Sequence, residues 1–183
     1  GVIDNCGFVW SSTKEASPEM AQIITPEGEV VPLPLEIGST SSLVSFELAR
    51  DDTRLLVLVQ TETGVRVLLG AIARDLDCQP VALGEFVELG PVDGTAVDAA
   101  WIDDSRLAVV VKEESTGNGE VLVFNVSGQS STLGRPLRPV TLVGGVGGVS
   151  GLRLLAEDGL IYQPRGNGWQ ATGERASVLA TQR

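Results

Sequence analysis

Residues 43–72 read LVSFELARDDTRLLVLVQTETGVRVLLGAI, and residues 97–126 read VDAAWIDDSRLAVVVKEESTGNGEVLVFNV. Setting Asp52 on Asp104, an offset of 52 residues, brings the two into register. Each opens with an apolar run holding an aromatic, Phe46 or Trp101. Each continues into an Asp-Asp-Thr/Ser-Arg turn: Asp51, Asp52, Thr53 and Arg54 against Asp103, Asp104, Ser105 and Arg106. Asp and Ser side chains bond their own backbone, so this phrase suits a hairpin. A run apolar on both faces follows, Leu55–Val59 against Leu107–Val111. A strand of that kind is covered on both sides. A polar turn with Gly then leads to a further aliphatic strand, and Asn118-Gly119 is a strong hairpin signal.

The repeat extends outward. Val149–Ala156 reads as the first strand of a third copy, with Glu157-Asp158-Gly159 as its turn and Asp158 set on Asp104. Upstream, Cys6–Trp10, Met20–Thr25 and Glu29–Leu33 read as strands of a degenerate copy, with Pro32 and Pro34 confining the last to an edge. A period near 50 residues suits a four-stranded propeller blade. The expectation is an all-β chain of antiparallel propeller blades, three to four repeats, forming a partial propeller. The units are set at 1–38, 39–96, 97–148 and 149–183, in one domain. The glycines at 144, 145, 147 and 148 read as a crossing between blades, since no Lys-Ser/Thr follows to make a phosphate cradle.

Composition agrees. Hydrophobic residues are 43% of 183, aromatics only 4%, and there are 22 Gly and 9 Pro. Branched aliphatics with frequent Gly are a β composition. The net charge of −11 opposes binding to nucleic acid or to an anionic membrane surface. No apolar run is long enough to insert in a bilayer.

The chain has no His, which removes Ser-His-Asp and Cys-His catalysis and the usual base near neutral pH. Lys14, Lys112 and paired carboxylates remain, but the Asp pairs recur at one place in each repeat, which marks a turn role. The residues thus point to no catalytic group, no cofactor and no metal, and a calcium loop of D-x-D-x-D-G type is absent. Asn125-Val126-Ser127 is a sequon, a frequent chance match. Trp10, Trp101 and Trp169 read as packing between blades. Cys6 and Cys78 permit one disulfide joining the first repeat to the second; two separate buried thiols are the alternative.

The phrases LVSFELARDDTRLLVLV, VRVLLGAI followed by Arg74, VDAAWIDDSRLAVVV and EDGLIYQPRGNGWQ resemble the C-terminal β-propeller of the actinobacterial lipoprotein LpqB family. The resemblance runs from about Ser39 to Gln170. It implies a non-catalytic propeller outside the cytoplasmic membrane, lipid-anchored in the full-length protein. It also implies a partner, the extracellular domain of an MtrB-like sensor kinase, and a role in envelope and cell-division signalling. A cell-wall carbohydrate-binding propeller is the competing reading. It requires Trp or Tyr exposed beside carboxylates. An open row of blades also leaves paired edges and an apolar face free, from which a homo-oligomer is expected.

Overall fold

A computed structural model of the chain describes residues 2–13, 20–38, 41–136, 139–145 and 147–178. Lys14 lies outside them. The described chain is almost wholly β, in four antiparallel sheets. The first holds β1 (Val2–Ile3), β2 (Val9–Thr13), β3 (Met20–Ile24) and β4 (Val30–Pro34) in that order. The second orders β5 (Ser42–Leu48), β6 (Arg54–Thr61), β7 (Gly64–Arg74) and β8 (Pro80–Leu83), with β9 (Val87–Val92) also on β7. The third holds β10 (Thr95–Trp101), β11 (Arg106–Lys112), β12 (Gly119–Asn125) and β13 (Ser130–Thr132). The fourth holds β14 (Val140–Gly145), β15 (Leu152–Ala156), β16 (Leu160–Arg165) and β17 (Gly168–Arg175).

The sheets stack as propeller blades do. The runs apolar on both faces explain why. In β6, Leu55, Val57 and Val59 pack toward the first sheet, while Leu56 and Leu58 pack toward the third. In β11, Leu107, Val109 and Val111 turn to the second sheet, and Ala108 and Val110 to the fourth. One strand thus seals two junctions, at period two. Three apolar clusters result, one between each consecutive pair of sheets. No such cluster among the described residues joins the fourth sheet to the first. The described blades form an open row, a partial propeller.

Three first strands share an irregularity. The ladder slips between Leu43 and Ser45 in β5, between Ala96 and Asp98 in β10, and between Val140 and Leu142 in β14. A bulge bends a strand and sharpens its twist. Its recurrence makes β14 the counterpart of β5 and β10, and it corrects the expected fourth unit. That unit starts with β14, not at residue 149. Val149–Gly151 is a short 3-10 turn, and Leu152–Ala156 is the second strand of the sheet. Glu157-Asp158-Gly159 therefore joins a second strand to a third. It lies at the opposite end of its sheet from the end that Asp104 occupies in its own. The Gly-rich run is likewise no crossing between blades; it ends β14 and turns within the fourth.

The first sheet needs a smaller correction. Cys6 and Gly7 sit in a turn, and β2 begins at Val9. Gly7 N–H donates to the Asp4 carbonyl at 3.1 Å, with Gly7 at φ +86°. That turn occupies the place of Ala49–Thr53 and Ile102–Ser105 in the next two sheets.

The outer edge of the second sheet is broken in two. Ile72 pairs with Leu83, and Leu69 with Val87, so three residues, 84–86, stand opposite two. The extra residue lets Phe86 fold over Gly70, where a Cβ would stand 2.7 Å from the Phe86 ring.

Candidate interaction surface

In an up-and-down sheet, the turn after the first strand and the turn after the third lie at the same end. One face of the blade row therefore gathers Asp4–Phe8, Ala49–Thr53, Asp75–Gln79, Ile102–Ser105 and Val126–Gln129. All eight residues of the Asp-Asp-Thr/Ser-Arg phrases lie at this face.

The two copies share one half of their chemistry. Asp51 Oδ1 accepts the Thr53 N–H at 3.0 Å, and Asp103 Oδ1 accepts the Ser105 N–H at 3.0 Å. Arg54 and Arg106 pair with those same carboxylates, at 3.0 and 2.6 Å. Burial pushes Asp103 up, but hydrogen bonds from Arg106 and Ser105, with the Arg106 charge, outweigh it and hold the carboxyl at about 2. The second Asp differs between copies. Asp104 is exposed, whereas Asp52 is buried in the left-handed region at φ 53°, and its Oδ2 accepts the Asn5 N–H at 2.6 Å. The equivalence of the pair in sequence hides this difference.

Polar contacts cross each junction and lock the turns together. Asn5 Nδ2 donates to the Arg50 carbonyl at 3.0 Å. Arg54 Nη2 reaches the Asp104 carbonyl at 2.7 Å while its guanidinium lies 5.1 Å from the Trp101 ring centre. Asp4, wholly buried, accepts from Phe8 N–H at 2.8 Å, Trp10 Nε1 at 3.0 Å and Arg74 Nη2 at 2.7 Å. Arg74 also donates to the Cys78 carbonyl at 2.7 Å. Cys78 is bonded to Cys6, with the Cα atoms 6.3 Å apart.

This knot braces one short turn, Asp75–Gln79. Asp75 Oδ1 accepts the N–H groups of Asp77 at 3.0 Å and Gln79 at 2.9 Å. Leu76 stands at its tip, fully exposed, between two exposed carboxylates. The pairing of Arg74 with Asp4 and the exposure of Leu76 were not readable in the sequence, because the two ion-pair partners lie 70 positions apart and no local pattern marks Leu76.

The tryptophans pack at the junctions between sheets. Trp10 and Trp101 are buried at the first two junctions, and Trp169 packs, half-buried, against the third. Tyr162 is buried as well. No group of three or more Cys, Asp or Glu among the described residues is placed to hold a metal ion. No helix among them is long and apolar enough to cross a membrane.

The family described as the lipoprotein LpqB beta-propeller domain matches residues 3–178. The chain belongs to that family. Among solved structures, the C-terminal WD40 domain of Sif2 is similar at 10% identity with a TM-score of 0.43. The match covers 92% of this chain and 57% of that one, so the chain spans little more than half of that structure. No curated protein matches the sequence. Membership in a β-propeller family accords with the stack of four antiparallel sheets.

Proposed function

We propose that this propeller is a non-catalytic binding module outside the cytoplasmic membrane. Its partner is the extracytoplasmic domain of an MtrB-like sensor kinase, and its role lies in envelope and cell-division signalling. Membership in a lipoprotein family supports the compartment, and the disulfide suits an oxidising one. One observation carries the binding role. A fully exposed leucine is held on a turn braced by a disulfide and a buried ion pair. An apolar side chain displayed on a rigid support suffers little ordering cost on binding and suits an interface anchor.

The carbohydrate reading is the less favoured one, because Trp10, Trp101 and Tyr162 are buried and Trp169, half-buried, is the one Trp or Tyr left within reach of a sugar ring. The test is co-purification of the chain with the immobilised extracytoplasmic domain of the sensor. Retention is expected; its absence at micromolar concentrations of both proteins would overturn the reading.

A further inference from the structure

Away from the turn face, the outer edges of the first two sheets face each other across a groove. Its walls are Leu33, Pro34 and Glu36, from the end of β4 onward, and Val81–Phe86, from β8 into the break before β9. Arg66 and Leu68 of β7 complete the lining. The volume is about 690 Å³, enough for several side chains. Leu33 and Leu68 are buried in its floor, and Leu83 and Phe86 are half-buried. Val81 at the lip is 53% exposed, and neighbouring Val87 is 61% exposed.

Three features define what fits there. The first is backbone. Among the described residues, β8 and β9 pair only with β7, and β4 only with β3. Unpaired edges accept an added strand. Pro32 and Pro34 strip N–H donors from β4, whereas 81–90 contains no proline, so the second-sheet edge is the pairing side. The second is the apolar floor, which asks for apolar side chains at alternate positions, as an extended strand presents them. The third is charge. Glu36 and Glu85 are exposed at the groove, and Arg66 is paired with Glu88 at 2.9 Å. Three carboxylates against one guanidinium leave a net −2, within a chain of −11. Such a field favours a cationic occupant.

We propose that this groove binds an extended peptide segment in which apolar and basic residues alternate, added as a strand to the β8–β9 edge. Its basic residues meet Glu36 and Glu85, and its apolar ones enter over Leu83 and Phe86. The site is separate from the turn face. It extends the binding-module reading to a second surface and does not depend on the sensor as partner.

The probe is a capped nine-residue peptide of alternating Val and Lys, titrated by calorimetry, with alternating Val and Glu and alternating Ser and Lys peptides as controls. The Val-Lys peptide is expected to bind saturably, with neither control matching it. Glu36→Lys/Glu85→Lys, which alters only exposed side chains, is expected to weaken it about tenfold or more. The Val-Lys peptide N-methylated at alternate residues, which cannot complete an edge ladder, is expected to bind more weakly. Equal binding of the Ser-Lys peptide would reduce the effect to bulk charge and overturn the groove. Binding of Val-Glu, or no effect of the charge reversal, would overturn the assignment as well. Peptide binding alongside a failed sensor co-purification would leave this groove standing and remove only the sensor reading.

Discussion

Arg74 and Asp4 stand 70 residues apart in sequence and meet as a buried ion pair, Nη2 to Oδ2 at 2.7 Å, across the junction of the first two sheets. The Asp4 side chain is wholly buried and that of Arg74 is 14% exposed. A buried pair of this kind adds little over a well-packed apolar one, but losing one partner strands the other. Asp4→Ala should therefore cost about 3 kcal/mol in urea unfolding, measured by circular dichroism.

The same pair sets an acid limit. Burial raises the Asp4 carboxyl, yet the hydrogen bonds from Trp10, Arg74 and Phe8 and the Arg74 charge outweigh it and bring it below the ordinary value of 3.8. A lowered folded value means stability that is fully present above the unfolded value and lost as pH falls through the folded one. The unfolding midpoint should drop more steeply below about pH 4 in the native chain than in Asp4→Ala.

Asp98 behaves in the opposite sense. It follows the bulge in β10, and its Oδ2 accepts the Val143 N–H of the fourth sheet at 2.9 Å. Burial raises its carboxyl above 3.8, outweighing the bonds from Val143, Ser45 and Ala99. A raised folded value favours the folded state below the unfolded value, and that advantage fades as pH climbs through the folded value. Asp98→Asn keeps an acceptor for Val143 without the charge. It should leave stability at pH 7 unchanged or raise it by about 1 kcal/mol, and flatten the pH profile between 4 and 7. A loss of more than that would show that the ionised form is favoured in place.

The disulfide closes a span of 72 residues between the first and second sheets. A loop of that length is worth roughly 4 kcal/mol in the chain-entropy view. Cys6→Ser/Cys78→Ser should lower stability by about 2–4 kcal/mol and raise hydrogen exchange first in β1–β4. Uniform exchange over all four sheets would contradict a clamp local to that junction.

Much of the fold was legible. The Asp-Asp-Thr/Ser-Arg phrase and the doubly apolar runs identified the second and third sheets, because buried central strands and hairpin turns write themselves locally. The fourth sheet was displaced by one strand. Gly144 and Gly145 remove the apolar signal from β14, and Glu157-Asp158-Gly159 imitates the turn of another position. The turn face was half legible. The turn residues were readable, but the Asp4–Arg74 pair and the bracing of Leu76 join distant positions.

Gly70 offers a further check on packing beside the groove. Its backbone is unstrained, but a Cβ would come within 2.7 Å of the Phe86 ring. Gly70→Ala should displace Phe86 and destabilise the chain by about 1–3 kcal/mol, and Phe86→Ala in the same chain should recover part of that loss.

The most direct test of the turn face is calorimetric titration of the sensor's extracytoplasmic domain with the native chain and with Leu76→Asp. Leu76 is fully exposed, so the substitution leaves the fold intact. Binding by the native chain and a loss of tenfold or more in Leu76→Asp is the predicted result. Equal affinity of the two proteins would contradict the claim that this face carries the partner.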